Sequence, residues 1–321
     1  MSTRHRALGA LLVVTVIWGA TFYWMKQAIT ASIAHLGPEA ADVASGLFVG
    51  LRFSIAALLL PVFVKRARHL RGLNGGLFRD AGGLGVLLAL GFLLQMVAIG
   101  DLSPAVSAFL TSLYVIFTAF ISLFSSRYRQ ISRALLAGVL LATLGAAFIS
   151  GPPQLHFDLA EWLTVLCAFL FASSIVVTDQ ATNRHAPDLV SLVSYTTVGL
   201  IGWIYLAFTM QRAGAPSWEA VASVCRDFDF LLPMLMCSLL ATLFALTLLN
   251  HFQKHVSPVR AATLYSLEPV WAAAISLGLG GEVVDGWLFF GAGALLAGNF
   301  VAEFGPKRRL PAIKQIPPPS K

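Results

Sequence analysis

The sequence is poor in charged residues. Only 12% of its 321 residues are charged and 57% are hydrophobic, with a mean hydropathy of +0.78. Soluble domains carry about 25% charged residues, because their surfaces face water. A chain this apolar cannot cover a water-exposed surface, so we expect a membrane protein whose length is counted in spans of about 20 residues.

The sequence also lacks the motifs of several classes of protein. Its three cysteines are too scattered for a disulfide framework, and no lysine follows a glycine, which excludes the phosphate-binding loop of ATP-driven carriers. Neither Gly-x-Ser-x-Gly nor His-Glu-x-x-His occurs, so we expect no catalytic residues and no enzyme activity. His251 and His255 have the i, i+4 spacing of a metal site. Lys254 lies between them and no acid lies beside them in sequence, so we expect a solvated loop with neither a metal nor another cofactor.

Long apolar runs dominate the sequence instead. A helix rises 1.5 Å per residue, so about 20 apolar residues cross a hydrocarbon layer of about 30 Å. The alternating pattern of membrane strands is absent, and the loops are too short for a soluble domain. We therefore predict an all-α polytopic membrane protein with ten transmembrane helices. The runs lie near residues 7–29, 45–65, 81–101, 103–124, 133–151, 160–178, 188–209, 230–250, 257–280 and 285–304.

Basic residues are distributed unevenly between the loops. With ten crossings and a cytoplasmic N-terminus, most of the 22 lysines and arginines fall on the cytoplasmic side. The positive-inside rule then predicts a multi-pass protein of the bacterial inner (plasma) membrane with both termini in the cytoplasm. The basic residues are dispersed over several loops rather than gathered on one face. The net charge of +7 therefore does not indicate nucleic acid as a partner.

Two parts of the sequence repeat each other. The stretch SPAVSAFLTSLYVIFTAFISL (103–123) aligns without gaps with SPVRAATLYSLEPVWAAAISL (257–277), and ten of the 21 positions are identical. WGATFYWMKQA (18–28) aligns more weakly with FASSIVVTDQA (171–181), at almost the same offset. These matches predict two copies of one structural unit.

The repeat divides the chain into two five-helix units. We expect the first unit at residues 1–153, the second at 154–306, and a basic, Pro-rich cytoplasmic tail at 307–321. Because five is an odd number of crossings, the second unit enters the membrane from the opposite side. Two inverted five-helix repeats are typical of secondary transporters, whose substrate site lies at the repeat interface near the bilayer midplane.

Several stretches resemble a known family. TVIWGATFYWMK (15–26), LRF (51–53), SAFLTSLYVIFTAF (107–120) and above all LEPVWAAAISLGLGGE (267–282) are similar to the EamA-type branch of the drug/metabolite transporter superfamily. The resemblance implies ten helices in two repeats of five. It also implies transport of small metabolites, commonly the export of amino acids or amphipathic compounds from bacteria.

We therefore predict a secondary transporter that exports amino acids or amphipathic organic compounds across the inner membrane by alternating access. The alternative is a membrane-embedded flippase or antiporter for lipids or sugar phosphates, and an intramembrane enzyme ranks behind it. The expected partners are a small-molecule substrate and the lipid bilayer. Gly46 and Gly50 form a GxxxG motif that can pack within the chain or between two copies, so a homodimer stays open.

Glu268 is an acid in the middle of an apolar run, and Pro269 follows it directly. A charge at this depth costs about 2.5–3.5 kcal/mol on insertion scales, so Glu268 is expected to face the helix bundle. Two roles stay open from the sequence. The carboxyl is either a proton- or substrate-binding group in a cavity, or a partner for backbone groups that Pro269 leaves without hydrogen bonds.

Polar and aromatic residues with helical spacing on the matched spans predict a central cavity shared by the repeats. Packing between helices is the alternative role of the aromatic and hydroxyl residues, and Gln95 must bond either a neighbouring helix or the cargo. The expected cavity residues are Trp18, Thr21, Arg52, Gln95, Thr111, Tyr114, Phe171, Ser174, Tyr265, Glu268 and Trp271.

Lys26 and Asp179 occupy aligned positions in the two repeats and have opposite charge. We expect them to act as gating residues, Lys26 towards the outer end of the cavity and Asp179 towards the inner end. The alternatives are that Lys26 extends to the membrane surface and that Asp179 lies at a solvated helix end.

Overall fold

A computed structural model describes residues 3–64, 67, 73–123, 133–148, 158–279 and 286–304, and the regular structure in these ranges is helical. Within them, seven spans are long and apolar enough to cross a membrane, which agrees with the prediction of an all-α polytopic membrane protein. The helices are α1 (Thr3–Leu36), α2 (Ala41–Phe63), α3 (Gly75–Ile99), α4 (Pro104–Thr111), α5 (Tyr114–Leu123), α6 (Arg133–Ala147), α7 (Leu159–Arg184), α8 (Pro187–Thr209), α9 (Trp218–Val224), α10 (Phe228–Met236), α11 (Thr247–Phe252), α12 (Pro258–Tyr265), α13 (Glu268–Gly278) and α14 (Gly286–Phe304).

The remaining three apolar runs contain shorter helices. The fifth run forms α6, the tenth forms α14, and the ninth is divided into α12 and α13. The eighth run is a continuous span, Phe228–His255, whose middle part, Cys237–Leu246, is a π-helix between α10 and α11. The number of ten crossings therefore stays a prediction. Large apolar side chains such as Leu58, Ile204 and Phe289 are exposed on the outside of the bundle, where lipid would cover them.

The helices of the fourth and ninth runs break at the same aligned position. Ser112-Leu113 separates α4 from α5, and Ser266-Leu267 separates α12 from α13. Pro269 lies in the first turn of α13, where a missing N–H costs no intrahelical hydrogen bond. The first repeat has Val115 at the aligned position and breaks there too. The break is therefore a property of both repeats and does not depend on the proline.

The contacts between helices keep the same pattern when the two repeats are exchanged. α2 packs on its match α8, and α6 packs on its match α14. α7 is the match of α1, and α10 and α11 are the match of α3. Accordingly, α3 packs on α7, and α10 and α11 pack on α1. In the same way, α1 packs on α13, and α7 packs on α5, the match of α13. A two-fold axis between the repeats produces this pattern.

Glycines allow α2 and α8 to approach each other closely. A Cβ atom at Gly202 would lie 2.6 Å from the backbone nitrogen of Gly50, and one at Gly46 would lie 2.9 Å from the nitrogen of Leu206. The GxxxG motif of α2 is thus used for a helix contact within the chain.

We expect the substitution Gly202→Ala to lower the free energy of unfolding by about 1–3 kcal/mol, because the added methyl group must displace the backbone of Gly50. Thermal unfolding of the purified protein in detergent measures the effect. Gly83→Ala is the matched control, since nothing lies within 4 Å of a Cβ atom at that position of α3. Equal losses in the two variants would contradict the proposed tight contact.

Candidate functional site

One cavity lies inside the bundle, between helices of both repeats. Its free volume is about 70 Å³. Its lining includes Trp18, Thr21, Arg52, Gln95, Thr111, Tyr114, Phe171, Ser174, Tyr265 and Glu268.

Glu268 and Tyr114 lie at the helix breaks that face the cavity. They begin α13 and α5, and they occupy aligned positions in the two repeats. The carboxyl of Glu268 is buried beside the Tyr114 hydroxyl, but Glu268 Oε1 and Tyr114 Oη make no hydrogen bond of ordinary geometry within the described residues. Among the described residues, Glu268 Oε1 thus makes no hydrogen bond to the backbone around Pro269.

Arg52 contributes a buried guanidinium to the cavity wall. Its Nε donates a hydrogen bond of 2.7 Å to Thr242 Oγ1, and its Cζ lies 4.7 Å from the ring centre of Phe92 and 5.4 Å from that of Phe53. Thr242 belongs to the π-helical stretch, a distortion that is frequent at functional sites. Contact with aromatic faces stabilises a desolvated cation, and the charge is thus held at the cavity without a carboxylate partner among the described residues.

Trp18 and Tyr265 fix one wall of the cavity. Trp18 Nε1 donates to Ala241 O at 3.1 Å, and the two rings meet edge to face with centres 5.6 Å apart. The Tyr265 hydroxyl donates to Gln253 Oε1 at 3.1 Å, and Gln253 Nε2 donates to Ile175 O at 2.7 Å. These bonds join α1, the eighth run, α12 and α7 around the cavity.

The two repeats place matched hydroxyl groups in the same local geometry. Thr21 Oγ1 donates to Trp18 O at 2.6 Å, and Ser174 Oγ donates to Phe171 O at 2.8 Å. In sequence, Thr21 aligns with Ser174 and Trp18 with Phe171. The opposing pair Gln95 and Thr111 is joined more loosely, with 3.4 Å between Gln95 Nε2 and Thr111 Oγ1.

Gln253 is a cavity residue that the sequence analysis missed. It lies three residues after the predicted eighth apolar run (230–250), and His251 to His255 were expected to form a solvated loop. That prediction was wrong for Gln253, which is fully buried because its side chain bridges α12 and α7. An acid also lies near His251, contrary to expectation: Asp188 Oδ1 of α8 is 2.9 Å from His251 Nε2. A metal cluster of three ligands is absent from the described residues.

Trp271 does not belong to the lining of this cavity. It is 37% exposed, and its Nε1 donates to Thr15 Oγ1 at 3.2 Å, a residue that is also outside the lining. A Cβ atom at Gly19 would overlap the Cβ atom of Trp271, so the missing side chain of Gly19 allows this close packing. Because it is not among the lining residues, we do not include Trp271 in the site.

Lys26 and Asp179 lie outside the cavity lining and are both held by local hydrogen bonds. Lys26 Nζ donates to Ile99 O at 3.1 Å and to Gly100 O at 2.6 Å, at the C-terminal end of α3. Asp179 is only 2% exposed and accepts a hydrogen bond from Asn183 Nδ2. The alternative of a solvated helix end for Asp179 is therefore wrong.

Two histidine–aspartate pairs join matched helices at the two ends of the bundle. His35 Nε2 of α1 lies 2.8 Å from Oδ2 of Asp227, which precedes α10. His185 Nε2, directly after α7, lies 3.2 Å from Asp80 Oδ2 in the first turns of α3. α3 is about 37 Å long. Asp80 is near its N-terminal end and Lys26 contacts its C-terminal end, so the two contacts lie far apart.

The electrostatic environment of each aspartate favours its charged form. The backbone N–H of Asp229 and the His35 ring hold the pKa of Asp227 below its ordinary value. Asp80 also contacts Arg184 Nη1 at 3.2 Å. The sequence analysis missed both pairs, although each histidine follows the aligned Gln-Ala of its repeat within eight residues.

A cavity enclosed by membrane helices of two matched repeats defines a polytopic membrane protein of the transporter type. The model of the EamA-like transporter family matches residues 5–151 and again residues 158–303. The chain therefore belongs to the EamA-like transporter family, as the sequence resemblance predicted.

Known proteins with similar sequence or fold agree with this assignment. A protein of Archaeoglobus fulgidus named "Uncharacterized transporter" is 26% identical over 287 residues, which cover 89% of this chain and 82% of that protein. A solved structure described as "Crystal structure of protein" has a TM-score of 0.66 with 16% identity, and the match covers 96% of this chain and 100% of that one. The second comparison supports the fold alone.

We expect Thr21→Trp to abolish cargo uptake into proteoliposomes, because the indole fills the cavity beside Trp18. The melting temperature in detergent shows whether the variant is folded. Thr196→Trp is the matched control, because Thr196 lies on the exposed face of α8 and has the same bond from its hydroxyl to a backbone carbonyl. Normal uptake by a folded Thr21→Trp variant would remove this wall from the site.

Proposed function

We propose that this protein is a secondary transporter that exports small organic metabolites, amino acids or amphipathic compounds, across the bacterial inner membrane by alternating access. The single observation that carries the proposal is the central cavity, which polar and aromatic residues of both repeats line at aligned positions. A transporter needs such a site between two units that can exchange their positions. We assign the units to residues 1–153 and 154–306, as inverted repeats with ten crossings in total.

The symmetric contacts support a mechanism for alternating access. Two contacts are equivalent by the repeat alignment: that of α1 with α10 and α11, and that of α7 with α3. His35–Asp227 joins the first pair of helices, and His185–Asp80 joins the second. We propose that opening one end breaks one pair while the other pair holds the opposite end closed. Lys26, which bonds the end of α3, and Asp179, which is buried in α7, would support these end contacts.

The proposed orientation places His35–Asp227 at the outer end and His185–Asp80 at the inner end. It follows from the excess of basic residues in the loops assigned to the cytoplasm. In this orientation both ends of the chain, including the tail at 307–321, lie in the cytoplasm.

The composition of the cavity wall favours small organic cargo over phosphate esters. Aromatic rings and hydroxyl groups dominate the lining, and Arg52 supplies the basic side chain among the lining residues. Strongly anionic phosphates are usually bound by several cationic side chains. The transport step requires no chemical change of the cargo.

The experiment that tests this function is counterflow into proteoliposomes that contain only the purified protein. A thermal-shift screen of a metabolite library first selects compounds that bind. We expect a radiolabelled compound from this screen to enter vesicles preloaded with the same unlabelled compound and to be recovered unchanged. Protein-free vesicles and the Thr21→Trp variant are the controls. Chemical conversion of the cargo would instead indicate an enzyme.

Cross-linking either end of the bundle should stop transport. The test uses a chain without its three native cysteines, into which a pair of cysteines is introduced at positions 35 and 227, or at 185 and 80. We expect counterflow to stop when a short bis-thiol reagent joins either pair. Reduction of a cleavable reagent should restore the activity. Each single-cysteine variant treated in the same way is the control. Full activity in a completely cross-linked protein would contradict alternating access through these ends.

Labelling with a membrane-impermeant thiol reagent tests the orientation. In intact cells, we expect a single cysteine introduced at Trp218, the first residue of α9, to react. A single cysteine at position 321 should react only after the membrane is permeabilised. Reaction of position 321 in intact cells would contradict the proposed cytoplasmic location of this end.

A further inference from the structure

A groove separate from the central cavity lies between the first half of α3 and the last turns of α7. Its free volume is about 280 Å³, against about 70 Å³ for the central cavity. The described residues that line the groove do not line the central cavity. A ligand in the groove therefore leaves the central cavity free, and it is not the cargo of the proposed transport.

The wall that α3 contributes to the groove changes from charged to apolar with increasing depth. Arg79, Gly83 and Leu87 follow each other at intervals of four residues, so they lie on one face of the helix over about 12 Å. Arg79 is exposed in the second turn of α3, and Leu87 is half-buried a little over two turns further in. Among the described residues, no atom lies within 4 Å of a Cβ atom at Gly83, so this glycine keeps the middle of the groove open.

The wall that α7 contributes has the same order of residues. Arg184 ends α7, the exposed Gln180 lies one turn before it, and the half-buried Val177 lies about one turn deeper. Arg184 and Arg79 meet at the mouth of the groove, where both bond Asp80. Charged groups at the surface, then an amide, then apolar side chains match the order of phosphate, ester groups and acyl chains in a phospholipid.

The mouth of the groove carries an excess of positive charge. Arg79 Nε donates to Asp80 Oδ1 at 3.0 Å, and Arg184 Nη1 donates to Asp80 Oδ2 at 3.2 Å. His185 Nε2 lies 3.2 Å from the same Oδ2. Two guanidinium groups thus share one carboxylate, and their other N–H groups make no hydrogen bond with the part of the chain that the structure describes. Phosphate oxygens can accept hydrogen bonds from both arginines at once.

We propose that this groove binds an anionic phospholipid, whose phosphate lies between Arg79 and Arg184 and whose acyl chain follows Leu87 and Val177. Basic pockets between membrane helices at the cytoplasmic surface attract anionic lipid headgroups. The proposed orientation places this end of α3 and α7 at that surface, where the inner leaflet supplies such lipids. A lipid that contacts both helices stabilises their contact, and with it the closed inner end of the bundle.

Competition between two lipids tests the inference. Phosphatidylglycerol and phosphatidylcholine with identical acyl chains are added to the purified full chain in detergent, and the bound lipid is measured by native mass spectrometry. The two lipids share the phosphate and the chains but differ in net charge. Because each arginine near the membrane surface contributes about a 5-fold preference for an anionic lipid, we expect phosphatidylglycerol to bind about 5- to 30-fold more tightly. We also expect it to raise the melting temperature more than phosphatidylcholine does.

Charge variants test whether the preference arises in the groove. Arg79→Gln and Arg184→Gln should each lower the preference for phosphatidylglycerol about 5-fold. Arg79→Lys and Arg184→Lys keep the charge and should keep most of the preference, which covers the case that a glutamine variant fails to fold. Arg212→Gln is the matched control and should leave the preference unchanged. Arg212 also pairs with an aspartate, Asp42, and its side chain is 56% exposed against 58% for Arg184, but it lies outside the groove.

A second pair of variants tests the apolar part of the groove. Gly83→Leu fills the groove without changing the charge, so it should weaken the binding of both lipids and leave their ratio unchanged. Gly82→Leu is the matched control, because a Cβ atom at Gly82 also meets no described atom within 4 Å but Gly82 does not line the groove. Glycerol phosphate and inorganic phosphate lack acyl chains and should not displace phosphatidylglycerol at equal concentration.

The inference does not depend on the cargo, so it can fail while the transport proposal stands. It is wrong if the two lipids bind equally well, or if the folded glutamine variants of the groove keep the full preference. An equal loss in Arg212→Gln would also overturn it, because the attraction would then come from the charge of the whole surface. If a soluble phosphate displaces the lipid at equal concentration, the groove is a phosphate site and not a lipid site. Equal effects of Gly82→Leu and Gly83→Leu would contradict binding in this groove.

Discussion

The absence of water from the hydrocarbon interior is the constraint on which this structure depends. A charge or an unbonded polar group that faces lipid has nothing to solvate it, so such groups must turn towards the protein. Arg52 and Glu268 satisfy this condition by lining one central cavity, whereas the outside of the bundle carries apolar side chains such as Leu58 and Phe289. The cavity is thus the place inside the bundle where these two side chains are kept away from lipid.

The two repeats share backbone geometry but differ in the side chains that they bring to the cavity. Both break a helix at an aligned Ser-Leu pair, and both bond a hydroxyl to the carbonyl three residues before it. At the breaks, however, the first repeat has Tyr114 and the second has Glu268. The repeats are thus matched in backbone and unmatched in the side chains at the break.

Helical spacing made most of the cavity predictable. Residues such as Trp18 and Thr21 lie one turn apart on a span that has a match in the other repeat, so the sequence places them on one face. Trp271 was placed wrongly because spacing alone does not tell which of two adjoining faces turns inward. Gln253 was missed because it follows the end of an apolar run, where solvent is the usual environment. Its burial arises from partners on α7 and α12.

The sequence by itself determined the membrane class, the helical segments, the repeat and the family, because hydropathy, periodicity and internal identity are properties of the chain alone. Only the tertiary structure decided which groups meet. The contacts of His35 with Asp227 and of Trp18 with Ala241 join residues far apart in sequence, and the separation of Arg52 from Glu268 depends on how α2 and α13 pack around the cavity. Such contacts depend on distances between helices, which the residue order of a single chain does not specify.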